Sequence, residues 1–133
     1  MFFVLSWLNV GSGAVTMREK PNTAAVNVTK GVAIASELEV AKSLGARTKG
    51  LLGRDGLRPE QGMLIDPCSS IHMWFMRFPI DVIFLDGKNR VVGLKRNVKP
   101  WGMAWSWRGV RTLELPVGTI ASTSTQVGDI VAF

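Results

Sequence analysis

The dipeptide Asp86-Gly87 separates two runs of apolar and β-branched residues, Ile80–Leu85 and Arg90–Val98. An Asp-Gly pair between two such runs is a strong signal for a tight β-hairpin turn. A turn this short can join only antiparallel strands, because parallel strands need a long crossover connection. We therefore predict that the two runs form an antiparallel hairpin, and the pattern disfavours a doubly wound α/β fold.

Other short apolar runs are bounded by glycine, proline and polar residues, which is the pattern of β-strands. They lie at Val26–Ala35 (with a turn at Lys30-Gly31), Glu37–Ala41, Gly62–Asp66, Ser69–Phe75, Val110–Leu115 and Asp129–Phe133. Ser43 has the chemistry of a helix N-cap, so we predict one helix over Leu44–Leu52 that Gly53 ends. The set predicts a mainly β fold, a compact antiparallel β-sandwich or open barrel with one short helix.

The length of 133 residues and the hydrophobic content of 47% are sufficient for one domain with its own core, which we place at residues 25–133. Residues 1–24 are expected to be a poorly structured N-terminal extension, either a start-site artefact or a weak export signal. Their apolar run, Phe2–Leu8, is too short to span a bilayer, and no positive charge precedes Arg18. We expect a cytoplasmic location, with export as the alternative.

Several segments, taken together, resemble the family of small prokaryotic proteins called domain of unknown function 192 (DUF192). They are Lys49–Arg54, Gly62–Leu64, Phe75–Asp86, Pro100-Trp101, Leu113–Gly118 and Gly128-Asp129. The resemblance covers about residues 32–133. It implies a mainly β, sandwich-like domain with a small helical addition. It implies no activity and no catalytic residues, because none is established for the family.

Residues 68–86 hold the sole cysteine and the sole histidine of the chain, Cys68 and His72, together with Asp81. A thiol nucleophile, an imidazole base and an orienting carboxylate are the parts of a cysteine-dependent enzyme, which we keep as an alternative of unknown reaction. In an extended strand, however, Cys68 and His72 would lie about 13 Å apart, so contact would need a bend. We favour a buried thiol and a structural histidine. We predict no catalytic residue, metal or cofactor, and Cys68 remains a candidate reactive thiol.

Arg77 and Asp81 lie in the same apolar segment, where an unpaired charge would be costly. A bend at Pro79 would let the guanidinium and the carboxylate pair, with part of Arg77 left available to a ligand. Tryptophan rings stack well on sugars, bases and cations. We therefore predict a binding module whose cleft takes an anionic or polyhydroxylated ligand or a protein partner. The predicted site comprises His72, Trp74, Arg77, Asp81 and Trp101.

The segment Trp101–Trp107 contains three tryptophans and has the glycine and small residues of a loop. We expect this loop to fold back as a lid that buries its indoles in the core, with an exposed binding surface as the alternative. The loop lies within Lys88–Arg111, a stretch of seven basic residues and no acidic one that accounts for the net charge of +6. Basic and aromatic residues interleaved in this way are typical of single-stranded nucleic-acid binding, the remaining alternative.

Overall fold

The structure, a computed structural model, describes residues 23–133. The extension predicted for residues 1–24 lies outside the described residues except for its last two, which begin the first strand. The chain forms β1 (Thr23–Asn27), β2 (Val32–Ala41), α1 (Leu44–Lys49), β3 (Gln61–Ile65), β4 (Ser70–His72), β5 (Ile80–Leu85), β6 (Val91–Val98), β7 (Met103–Trp105), β8 (Arg111–Leu115), α2 (Thr119–Thr123) and β9 (Val131–Ala132).

Seven strands form one sheet in the order β6-β5-β8-β3-β2-β1-β9. All its neighbouring strands are antiparallel except β2 and β3, which pair in parallel. The sheet curls until a bridge between Arg90 and Ile130 links the residues that precede its two edge strands. The remaining strands, β4 and β7, form a small antiparallel sheet. The predicted mainly β open barrel is confirmed, and the structure adds a second short helix, α2.

The strands β5 and β6 form the antiparallel hairpin that Asp86-Gly87 predicts. The connection is longer than a two-residue turn, and its left-handed residue is Asn89, with a φ of 63°, rather than Gly87. Asparagine tolerates this conformation better than most residues. The Asp86 carboxylate accepts the main-chain N–H groups of Arg90 and Lys88 at 3.0 and 2.8 Å. These bonds hold the pKa of Asp86 below its usual range and stabilise the turn.

Strand β5 is buried on both faces, which explains its continuous apolar run. Ile83 and Leu85 face the interior of the barrel and pack there with residues of β2, β3 and β8, which we call the interior cluster. Val82 and Phe84 point to the opposite side and join a second set of apolar side chains, the outer cluster. The small sheet and the segment after α1 cover the outer cluster. Each fully buried Val, Leu, Ile, Phe or Met side chain in either cluster contributes about 1.5–3 kcal/mol.

The helix α1 begins as predicted, because the Ser43 Oγ accepts the Ala46 N–H at 3.1 Å. It ends earlier than predicted, at Lys49, since Gly50 takes a positive φ of 48° and turns the chain. No residue of α1 is buried; Leu51, just beyond its end, enters the outer cluster instead. Within residues 23–133, no helix is long and apolar enough to cross a membrane.

Candidate functional site

The small sheet exposes one face and packs the other against the outer cluster. In its register Ile71 lies opposite Ala104, and both side chains are buried. Because side chains alternate along a strand, the flanking pairs project outwards. These pairs are Ser70 opposite Trp105 and His72 opposite Met103, and all four residues are exposed.

Aromatic rings extend this outward face beyond the ends of β4 and β7. The centroid of the His72 ring lies 4.6 Å from that of Trp74, and the Phe75 and Trp101 centroids are 4.9 Å apart. Phe75 and Trp101 both adopt a left-handed backbone conformation, with φ of 65° and 72°, which is rare for aromatic residues. Strained backbone positions of this kind concentrate at functional sites.

We call this set of exposed side chains the aromatic surface: His72, Trp74, Phe75, Trp101, Met103, Trp105 and Trp107. Trp101 and Trp105 are each 60% exposed, and Trp107 is 93% exposed. The expectation that the tryptophan loop buries its indoles in the core is therefore wrong. The physical reason is the alternation along β7, which turns the small Ala104 inward and the indole of Trp105 outward. Large groups of exposed apolar side chains are uncommon on monomeric proteins and often occur at interaction sites.

A groove of about 380 Å³ lies between β6 and the segment 103–108. Gly93 permits this close approach, because a Cβ at that position would lie 3.3 Å from the Phe84 ring and 3.4 Å from the Ser106 side chain. Its lining includes two cations and two indoles: Lys95, Arg108, Trp105 and Trp107. The groove therefore joins the aromatic surface to the basic stretch of the sequence.

Most of the cationic side chains in the basic stretch, Lys88–Arg111, form no ion pair with an acidic residue in the part of the chain that the structure describes. Five of its side chains take part in no ion pair within the described part of the chain: Lys88, Lys95, Arg96, Lys99 and Arg108. The other two are engaged, since Arg111 donates to the Asp66 carboxylate at 3.1 Å and Arg90 donates to a main-chain carbonyl. An anion near β6 would therefore meet cations that are not neutralised by the protein itself.

The pairing predicted between Arg77 and Asp81 is wrong. Arg77 is exposed, and its Nη1 donates to the Asp55 carboxylate at 2.8 Å. Asp81 is buried, because its register with β8 turns the side chain to the interior face of the sheet. There it accepts the main-chain N–H groups of Asn97, Gly118 and Ile120 at 2.9, 3.1 and 3.0 Å. Asp81 anchors the end of β6 and the start of α2 instead of holding Arg77.

The five residues of the predicted site thus fall into three places. His72, Trp74 and Trp101 lie together on the aromatic surface, Arg77 is exposed in an ion pair, and Asp81 faces the interior. Their part in binding stays a prediction. The predicted site did not include four side chains that line the groove: Lys95, Trp105, Trp107 and Arg108. The sequence held signals for them, namely the alternation of large and small residues over 101–105 and the absence of acidic residues from Lys88 to Arg111.

Cys68 is half-buried beside an open cleft of about 470 Å³ that Arg47 also lines. Its thiol donates to the Ser70 carbonyl at 3.1 Å. Cys68 packs on the outer cluster, whereas Asp81 faces the interior of the barrel, so the structure does not assemble a nucleophile, base and acid from these residues and His72. In residues 23–133, no three His, Cys, Asp or Glu side chains are placed to hold a metal ion.

Glu114 in β8 is a further unusual residue that sequence reasoning missed. It pairs with Met63 on one side and Val82 on the other, so its carboxyl group lies in the outer cluster, and the residue is 6% exposed. Burial raises the pKa of Glu114 to about 7, against the opposing effect of the Arg54 charge. Arg54 itself is held by Glu39 through two contacts of 2.8 Å. The sequence signal for this residue was an acidic side chain within the apolar run that forms β8, where burial would disfavour its charged form.

Comparison with known proteins places these features in a family. A family model described as DUF192, Uncharacterized ACR, matches residues 25–133. The chain is 34% identical over 112 residues to a UPF0127 protein of Thermococcus sibiricus, covering 78% of this chain and 70% of the relative. It is 36% identical over 111 residues to a UPF0127 protein of Pyrococcus furiosus, covering 78% and 92%. A crystal structure of a protein of unknown function from Novosphingobium aromaticivorans matches with a TM-score of 0.73 at 25% identity, covering 83% of each chain.

Proposed function

The chain belongs to the uncharacterised DUF192 family, and we propose that it is a binding module for an anionic or polyhydroxylated ligand. The observation that carries the proposal is the aromatic surface beside a groove lined by two cations, Lys95 and Arg108. Leaving a large apolar side chain in water forgoes about 1.5–3 kcal/mol of burial. Several such side chains grouped together favour a ligand or partner that covers them.

The side chains have distinct roles in this proposal. The indoles of Trp101 and Trp105 stack on flat groups of the ligand, such as sugar rings. Lys95 and Arg108 pair with its negative charges. The imidazole of His72 donates or accepts a hydrogen bond on the same surface. Asp81 makes no contact with the ligand and acts on the surface only by anchoring β6.

Ligand-induced stabilisation tests the proposal. The probes are a heparin hexasaccharide, inorganic tripolyphosphate and an oligothymidylate, each added to the full chain. A ligand at about one hundred times its Kd stabilises the folded state by about 2.7 kcal/mol, which raises Tm by several degrees. We expect at least one probe to raise Tm in this way, and we expect tryptophan fluorescence to change in parallel.

A double variant, Trp101→Ala with Trp105→Ala, is expected to fold and to lose most of this response, because both indoles are largely exposed. The matched control is Leu44→Ala, which truncates a residue of α1 that is 73% exposed and does not line the groove. Its response to the probes should equal that of the unmodified protein. The proposal is overturned if no probe raises Tm, or if the double variant responds as strongly as the control.

A further inference from the structure

We propose that the groove between β6 and the segment 103–108 binds a single strand of nucleic acid. This inference rests on the proposed function and specifies the chemical class of its ligand. A single strand carries repeated negative charge together with flat, stackable bases. The groove presents the complementary features side by side, since two cations and two indoles line it.

Charge is the first argument. The segments 67–80 and 87–111 build the small sheet, the groove and strand β6, and neither contains an aspartate or a glutamate. Lys95 and Arg108 lie at the groove, and Arg96 and Lys99 follow Lys95 along the chain. None of these four side chains forms an ion pair with another described residue. The Asp86 carboxylate, just before segment 87–111, interacts with the Arg108 charge through space, whereas the other three cations have no carboxylate in ion-pair range among the described residues. Most of the attraction for a chain of phosphates therefore remains.

The indoles are the second argument. Trp107 is 93% exposed and so buries almost no surface within the fold. Trp105, two residues earlier, lines the same groove and is 60% exposed. Stacking of a base on an aromatic side chain does not depend on which base it is, because every base has a flat face. These two residues thus suit a strand of any sequence.

The shape of the site separates a strand from a membrane surface. The groove is lined by consecutive residues, 92–95 and 103–108, so main chain as well as side chains forms its walls. It lies along β6, the edge strand of the large sheet, which pairs with no described strand on its outer side beyond Val91. A concave site of this kind admits an extended flexible chain, whereas a flat bilayer would contact only the side chains at its rim.

Fluorescence anisotropy with a labelled oligothymidylate of about 12 nucleotides tests the inference, since single sites of this type cover about 4–16 nucleotides. If four cations each neutralise one phosphate, the affinity should fall about 50-fold between about 50 and 200 mM salt. Lys95→Gln and Arg108→Gln should each reduce the slope of log affinity against log salt by about 0.7. Lys42→Gln is the matched control, because Lys42 is also exposed but follows β2, which lies three strands from β5 and four from β6 in the sheet.

Trp107→Ala is expected to weaken binding of the same oligonucleotide about tenfold, and Trp107→Phe should recover most of the loss because it retains a flat ring. Binding with an unchanged salt slope in both charge variants and an unchanged affinity in Trp107→Ala would overturn the assignment to this groove.

Two parallel titrations, with the heparin hexasaccharide and with phosphatidylglycerol vesicles, separate the failure of this inference from the failure of the proposed function. If the hexasaccharide binds and the oligonucleotide does not, the nucleic-acid inference is overturned while the proposed function stands. If vesicles bind and the oligonucleotide does not, the aromatic surface is a membrane contact and the inference is again overturned. If none of the three binds and inorganic tripolyphosphate does not raise Tm either, both proposals are overturned.

Discussion

Glu114 is expected to make the stability of this protein fall as the pH rises through neutrality. Its pKa is 4.5 in an exposed setting and about 7 in the fold, because burial in the outer cluster disfavours the charged form. The unfolded chain therefore releases this proton more readily than the folded chain. The resulting stabilisation is present in full below pH 4.5, declines as the pH rises, and is lost above about pH 7.

The magnitude follows from the two pKa values. A tenfold difference in proton affinity corresponds to about 1.4 kcal/mol, so the whole effect is about 3 kcal/mol. About 2.5 kcal/mol of this stabilisation is lost between pH 5 and pH 8. Over that range Glu114 is mostly ionised in the unfolded chain, whereas in the folded chain it passes from protonated to ionised. This is a large fraction of the stability of a domain of this size.

The perturbation is Glu114→Gln, which keeps the shape of the side chain and removes its titration. Urea unfolding, followed by tryptophan fluorescence between about pH 5 and pH 8, gives the free energy of unfolding of both proteins. We expect the unmodified protein to lose about 2.5 kcal/mol relative to the variant over this range. Glu60→Gln is the matched control, because Glu60 is paired with Arg58 at the surface and its pKa is lowered. That control should follow the unmodified protein.

Equal pH dependence in Glu114→Gln and the unmodified protein would refute the reasoning. Carbon NMR of the Glu114 carboxyl group provides an independent check, since its titration midpoint should lie near 7. A midpoint near 4.5 would mean that water or another group solvates the carboxylate inside the outer cluster.

Three further changes test other contacts. Asp81→Asn is expected to lower the free energy of unfolding by about 2 kcal/mol or more, because an amide leaves a buried N–H without an acceptor; urea unfolding measures this, and no loss would contradict the anchoring role. Gly62→Ala should cost about 1–3 kcal/mol, since its Cβ would lie 2.9 Å from the Leu115 side chain, and an unchanged Tm would count against that packing. Hydrogen bonds, led by one from Asn27, lower the pKa of Asp129 to about 2, so its stabilisation is present above pH 3.8 and is lost as the pH falls through about 2. Asp129→Asn should therefore flatten the acid unfolding curve, and a curve as steep as that of the unmodified protein would contradict this assignment.

Features that depend on neighbouring residues in the chain were predictable from the sequence. The hairpin at Asp86-Gly87 and the cap at Ser43 both arise from local hydrogen bonds. The helix α1 ends three residues before the predicted Leu52, because Gly50 turns the chain and Leu51 no longer belongs to the helix. In the structure it packs into the outer cluster from the turn after Gly50.

Features that depend on distant strands were not predictable in the same way. The face on which Asp81 lies follows from its register with β8, and its three N–H partners come from two other segments. No local pattern near Pro79 carries that information. The parallel pairing of β2 and β3 is likewise set by the path of residues 42–60 between them.

The tryptophan loop is an intermediate case. Its sequence alternates large residues at Trp101, Met103 and Trp105 with Gly102 and Ala104, which is a strand pattern with the small side chains on one face. The usual expectation is that the large apolar side chains are buried. Here the outer cluster is already filled by residues of β3, β5 and the segment after β4, so the small face packs inward.

The central claim, that the aromatic surface and its groove bind an anionic ligand, is tested most directly by heteronuclear NMR of the indole N–H groups. The heparin hexasaccharide and the oligothymidylate are added in turn to the full chain. We predict that at least one probe shifts the resonances of Trp101, Trp105 and Trp107 while the amide resonances of α1 stay in place. Shifts confined to other parts of the protein, or no shifts with either probe, would contradict the claim.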